Sequence, residues 1–370
     1  MSETEVPEPS TARPEPGTTQ PQRGPGELPA QGAPVPPALL ADLVLEGGGV
    51  RGLGLVGAVG ALDAAGYRFP RVGGSSAGAV VGALVAALQR AGEPLARLEE
   101  LARALDYGRF RDRGPIGRLA GPFATAVDAL SLAFDSGVFE GDYLRDYLAG
   151  TLADLGVRTF GDLRVEDPES SLPPEQRHGL VVTASDLSRR RLVRFPWDYA
   201  DYGLDPDEQS VADAVRASAS IPFFFEPVTL RPRGGGVPST LVDGSVLSDF
   251  PVAMFDRTDG RPPRWPTFGV RLSARPGPRP AEHVAGPLGL GLALVGTLVE
   301  ACDAQHVDDP CVVARTVFVD ASGVSPVDFD LSPEEREGLV TGGREAATRF
   351  LQTWDAAGYL RQCRDFESEP

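Results

Sequence analysis

Leu43-Val44-Leu45-Glu46-Gly47-Gly48-Gly49-Val50-Arg51-Gly52, with the later Gly74-Ser75-Ser76-Ala77-Gly78, is the sequence on which the reading of this chain turns. A short apolar run ending in glycines is the pattern of a buried parallel strand. Leu55, Val59 and Leu62 then recur at helical spacing until Gly66, which predicts a helix and its stop. Arg68 to Gly73 predicts a second short strand, and residues 77–88 are apolar on every side, as in a helix buried between layers. The pattern is therefore strand, turn, helix, twice over. The first turn offers bare backbone N–H groups and the second a serine, the minimum kit for attacking an ester carbonyl.

Further along, Pro94 to Tyr147 predicts helices interrupted at Gly114-Pro115 and Gly121-Pro122, suited to a cap beside the site. Gly179 to Ala184 and Arg191 to Phe195 predict a hairpin around Ser188-Arg189-Arg190. Its basic tip reads as a solvated turn, with approach to anionic lipid as the alternative. Thr240-Leu241-Val242 runs into Asp243-Gly244, again a strand end followed by a turn. Thr267 to Leu272 and Cys311 to Val319 are expected strands, and Ser332 to Trp354 an expected helix that opens with an N-cap and a proline. Strands alternating with helices predict an α/β fold, a three-layer sandwich around a central, mostly parallel sheet.

Composition narrows the function. A formal charge of −17 argues against a nucleic-acid partner, which requires a basic footprint. All 35 basic residues are arginine; a GC-rich coding sequence explains that bias, so single arginines carry little weight. The three cysteines, Cys302, Cys311 and Cys363, include no CxxC pair, which suits a reducing cytoplasm better than a disulfide framework. The N-terminus has no signal-peptide pattern. The apolar segment from Gly286 to Val299 is 14 residues long and stops at Glu300, short of the roughly 20 that span a bilayer. The expectation is a cytoplasmic protein with, at most, peripheral membrane contact. Residues 1–37 hold ten prolines and almost no large apolar side chains, so burial cannot offset their ordering entropy and the tail is expected to be disordered.

The GxSxG at Gly74 to Gly78 follows a strand and opens a helix, the setting of a nucleophile elbow. Ser76 would then stand at the positive end of a helix dipole. Gly47 to Gly52 also matches GxGxxG, but a dinucleotide site wants a carboxylate at the end of the next strand. Phe69-Pro70-Arg71-Val72-Gly73-Gly74 supplies none. The same glycines suit an oxyanion hole, worth about 3 kcal/mol per donor.

GGGVRG, GSSAG and the distant Asp243-Gly244 turn, in that order, make the chain resemble the patatin-like phospholipase family. Val215-Arg216-Ala217-Ser218-Ala219-Ser220-Ile221-Pro222 and Phe250-Pro251-Val252 share the likeness. The resemblance covers about Ala41 to Asp256. It implies a Ser-Asp dyad without histidine, with Ser76 as nucleophile and Asp243 as general base. It also implies Gly47, Gly48, Gly49, Arg51 and Gly52 as the oxyanion loop, and Gly74, Gly78 and Gly244 as supports of the two turns. The implied substrates are lipid esters, phospholipids first, with no metal or organic cofactor. The domain organisation expected is a disordered Pro-rich tail over 1–38, a catalytic domain over 40–256 and a helical extension over 257–370 packed on the same unit. Two positions depart from the family pattern: Ser245 stands where Gly or Ala is usual, and Asp249 where Asn is common. A second carboxylate near Asp243 would raise its pKa.

Two other readings stay open. The order Ser76, Asp243, then His283 or His306 is also that of a Ser-Asp-His triad, and a hydrolase fold can persist as an inactive lipid- or partner-binding module. Cys302, His306 and Cys311 are too few, and too poorly spaced, to read as a zinc site.

Overall fold

The computed structural model describes residues 39–111, 141–272, 284, 286, 290, 291, 293, 294, 296, 297 and 309–363. The tail over 1–38, the Gly114-Pro115 and Gly121-Pro122 interruptions, Cys302, His283 and His306 lie outside them. The chain divides into Met1–Pro37 and Ala38–Pro370, and the elements below belong to the second unit.

A short strand β1 (Leu39–Leu40) precedes β2 (Asp42–Leu45), whose four residues are all buried. The glycine turn leads into α1 (Leu53–Ala64), buried at Leu53, Leu55, Val56, Val59 and Leu62. The expected strand over Arg68–Gly73 is split into β3 (Tyr67–Arg68) and β4 (Val72–Gly74). Next come α2 (Ala77–Ala91), ended by Gly92 in the left-handed region (φ 70°), and α3 (Arg97–Ala104). After α4 (Asp142–Asp154) the chain forms the expected hairpin of β5 (Leu180–Asp186) and β6 (Arg191–Phe195). Helix α5 (Val211–Ser218) is capped by the Ser210 side chain, which accepts from the Asp213 amide. It is followed by β7 (Val228–Leu230) and β8 (Ser239–Asp243).

The C-terminal part adds β9 (Thr267–Arg271), α6 (Pro310–Ala314), β10 (Thr316–Phe318), α7 (Pro333–Thr353) and α8 (Ala356–Cys363). The strand expected over Cys311–Val319 begins instead as a helical turn. Asp309 accepts from the Cys311 amide and Pro310 occupies the first helical position, both of which favour helix at that point. Helix α7 starts at a capping box in which Ser332 and Glu335 satisfy each other's amides.

The main sheet has the order β10-β9-β2-β4-β5-β8-β7, with β6 beside β5. The pairs from β10 through β5 are parallel, and β5–β6, β5–β8 and β7–β8 are antiparallel. Alternation along the strands buries both faces. Leu43, Leu45, Leu180 and Val182 join the large core with α1 and α2, while Val44 and Val181 meet a smaller cluster containing Trp197 and Phe255.

One detail of pairing sets up the site. β6 takes one edge of β5 over Val182–Asp186, so β4 and β8 share the other edge. β4 runs along it to Gly74, opposite Val182; β8 comes from the far end and stops at Asp243, opposite Ala184. The ends of the two strands therefore meet nose to nose beside Thr183.

Cys311 and Cys363 form a disulfide that joins α6 to α8 across 52 residues. This differs from the all-reduced cysteines expected from their sparse spacing. Separation along the chain says nothing about proximity once α8 folds back beside α6.

Candidate active site

Ser76 sits between β4 and α2 with φ 50° and ψ −120°, a conformation that costs a non-glycine residue about 1–3 kcal/mol. The surroundings enforce it. A Cβ on Gly74 would lie 2.4 Å from the Gly78 carbonyl carbon, and one on Gly78 only 2.2 Å from the Leu45 carbonyl oxygen. Glycine at both positions lets the strand, the elbow and the helix come into backbone contact. The Ser76 N–H donates to Ser218 Oγ at 2.8 Å. On the preceding residue, the Ser75 hydroxyl is hydrogen-bonded to that of Thr183 and donates to the Ser248 carbonyl.

Asp243 arrives at the end of β8. Its Oδ2 accepts from Ser76 Oγ at 2.6 Å, with no group between them. Its Oδ1 accepts from the Ser245 N–H at 2.9 Å, and its own amide donates to the Ser220 carbonyl at 2.9 Å. A Cβ on Gly244 would strike Thr183, so glycine allows the turn to lie against β5. Asp243 is 3% exposed. Burial pushes its carboxyl up to about 6, against the opposing pull of the hydrogen bonds from Ser76 and Ser245.

The glycine loop lies alongside. Gly47 donates its N–H to the Asp249 carbonyl, Val50 to that of Pro326 and Arg51 to that of Gly48. The amides of Gly48 and Gly49 have no backbone acceptor among the described residues. The Arg51 side chain reaches the Val324 carbonyl at 2.5 Å and so ties the loop down. Gly52 faces Ala77, where an added Cβ would be 3.0 Å from the alanine methyl. Glu46, immediately before the loop, is buried and pairs with Arg271 Nε at 2.6 Å, which fixes the loop to β9.

Ser245 and Asp249 come to the same spot: a Cβ at Gly47 would lie 2.3 Å from Ser245 Oγ and 2.2 Å from Asp249 Oδ1. Beyond Ser76 lies an apolar slot lined by Val80 and Leu84 of α2, Leu101 of α3, Leu144 of α4, and Phe225 and Phe329.

His178 is fully buried, and its Nε2 is 2.8 Å from Asp207 Oδ1. Burial lowers its pKa, opposed by the Asp207 carboxylate. It precedes the start of β5, the end of the sheet away from Ser76. Among the described residues no cluster of side chains could hold a metal ion, and no helix is long and apolar enough to cross a membrane.

No sequence signal marks Ser218, Thr183 or the Ser220 carbonyl individually as site groups. Ser218 and Ser220 belong to the Val215–Pro222 motif, a recognisable segment whose place becomes visible only when α5 is seen ending between Ser76 and Asp243.

A family model described as patatin-like phospholipase matches residues 43–256. The uncharacterized protein YqhO of Bacillus subtilis (strain 168) is 34% identical over 313 residues, covering 85% of this chain and 98% of YqhO. Among solved structures, VipD from Legionella pneumophila aligns with a TM-score of 0.45 and 18% identity, covering 85% of this chain and 67% of VipD. ExoU, in the heterodimeric ExoU-SpcU complex of the Pseudomonas aeruginosa type III secretion system, aligns with a TM-score of 0.42 and 21% identity. That match covers 85% of this chain and 52% of the ExoU chain.

Proposed function

The chain belongs to the patatin-like phospholipase family, and from that premise we propose that it is a serine acyl hydrolase that cleaves carboxylic ester bonds of glycerolipids, phospholipids first. The observation that carries this reading is the buried 2.6 Å hydrogen bond from Ser76 Oγ to Asp243 Oδ2 at the mouth of an apolar slot. Asp243 accepts the Ser76 proton as Oγ attacks the ester carbonyl. Its raised pKa makes it a stronger base than a free aspartate while leaving it ionised at neutral pH. The oxyanion that forms is met by the N–H groups of Gly48 and Gly49, with the amide of Ala77, after the nucleophile, at the α2 N-terminus. Asp243 then gives its proton to the leaving alcohol, and water cleaves the acyl-enzyme by the reverse route. The slot holds the acyl chain, and no cofactor takes part. The setting proposed is peripheral contact at membranes.

The test is labelling by a fluorophosphonate probe together with release of fatty acid from phospholipid. The wild type is expected to do both and Ser76→Ala neither, with an unchanged circular dichroism spectrum. Replacing His178, His283 and His306 together by Gln is expected to leave most of the esterase activity, whereas a triad would lose it. Absence of labelling, with no turnover of short-chain esters or phospholipids by the wild type, overturns the reading.

A further inference from the structure

The β5–β6 turn and the β7–β8 loop lie side by side. Leu187 N–H donates to the Thr240 carbonyl at 2.9 Å and the Thr240 N–H donates to Ser188 Oγ at 2.9 Å. Arg189 stacks over the Tyr202 ring at 3.9 Å, and the Arg233 N–H donates to the Tyr202 carbonyl at 2.8 Å. This joint surface shows two apolar side chains to solvent: Leu187 is 50% exposed, and Val237, at 80%, is the most exposed large apolar residue among those described.

Arginines surround them. Arg189, Arg190, Arg231 and Arg233 are all exposed, and the last three have no ion pair among the described residues. The nearby acids are already engaged. Asp186 is fully buried, accepting from Tyr202 Oη and the Arg189 amide, and Asp201 pairs with Arg191 at 2.6 Å. A chain with a formal charge of −17 thus carries a locally positive surface set with exposed apolar residues. Its position is informative too. Asp243 faces Ala184 on β5, and the turn begins three residues on at Leu187, about 10 Å further along the strand. The turn therefore projects from the end of the sheet at which Ser76 and Asp243 stand.

We propose that these two turns are a docking surface for an anionic lipid bilayer, with the arginines reaching phosphate headgroups and Leu187 and Val237 entering the interface. Positive charge and exposed apolar side chains on one protruding edge match a surface that is anionic outside and apolar beneath. A nucleic acid or an acidic protein would engage the arginines without needing the leucine and valine. The purpose of the docking rests on the acyl-hydrolase reading, but the docking itself is measured separately.

The experiment uses the full chain with Ser76→Ala, so that the vesicles stay intact. It is sedimented with phosphatidylcholine vesicles with or without phosphatidylglycerol. Binding is expected with phosphatidylglycerol only, and to weaken as salt rises. Arg190→Glu, Arg231→Glu and Arg233→Glu together should reduce it roughly 100-fold or more. Leu187→Asp with Val237→Asp should also reduce it, under salt conditions where the arginines alone do not hold the protein. Each set, placed in the wild-type chain, should leave turnover of a soluble short-chain ester unchanged, which shows that the fold is retained. Equal binding of the glutamate variant and its parent overturns the proposal, as does retention on heparin with no binding to phosphatidylglycerol vesicles. If the vesicles are bound but no ester is ever turned over, the docking stands and the hydrolase reading falls.

Discussion

Burial of Asp243 raises its carboxyl to about 6, with two consequences of opposite value. In its proposed role as base it must be ionised, so kcat/KM is expected to rise through about pH 6 to a plateau and to fall on the acid side. For stability the sign is reversed. Between the ordinary carboxylate pKa of 3.8 and about 6, the folded chain binds more protons than the unfolded one, so this group's contribution is fully present below 3.8 and is lost as pH rises through 6. The cost above that window is about 3 kcal/mol. Asp243→Asn should therefore melt higher than wild type at pH 8, with the gap closing towards pH 4, while hydrolysis is lost at every pH. An equal melting temperature at pH 8 would show that the buried carboxylate is not strained. Ser218 acts differently, through Ser76: its hydroxyl receives the amide of a residue held at positive φ. Ser218→Ala is expected to lower kcat about 10- to 100-fold with KM little changed, since small displacements of a nucleophile are costly. Ser218→Thr should restore much of the rate. A loss of melting temperature without a loss of kcat would make the residue merely structural.

Helices α1 and α7 approach each other backbone to backbone. A Cβ on Gly343 of α7 would lie 1.9 Å from the Gly54 carbonyl oxygen of α1, and one on Gly57 would lie 1.9 Å from the Val340 carbonyl oxygen. Neither obstacle is a side chain that can swing away. Gly343→Ala should destabilise the protein by about 2 kcal/mol in urea unfolding, the usual cost of overpacking. Its neighbour Gly342, where an added Cβ meets nothing within 4 Å, provides the control. Gly342→Ala should be neutral or stabilising by up to about 1 kcal/mol, the helix-propensity gain. The sequence marks both as glycines in a helical pattern, and only the packing of α7 on α1 tells them apart. The same holds for β10, where apolar residues from Cys311 onward predict one strand while the Asp309-Pro310 cap turns the first four of them into a helix.

At the scale of the molecule, the sheet is not finished at Asp256, where the family match ends. β9 pairs with β2 and β10 with β9, and α7 covers α1. A chain cut after Asp256 would leave β2 an open edge and remove the partner of Glu46 beneath the glycine loop. It is expected to lack a cooperative unfolding transition and to be inactive; a folded, active 1–256 would refute this dependence. What the sequence determined by itself was local. Glycine placement and apolar runs dictated the strand-turn-helix units, the elbow at Ser76 and the turn at Asp243-Gly244, because steric freedom and burial act over a few neighbouring residues. Tertiary structure alone decided that β4 and β8 run into each other along one edge of β5 and so bring Ser76 within 2.6 Å of Asp243 across 167 residues. It also decided that Ser218 holds the Ser76 amide, that Ser245 and Asp249 crowd Gly47, and that Cys311 meets Cys363. Those contacts depend on register and on which edge of a strand is already taken, and neither is written in the spacing of residues along the chain.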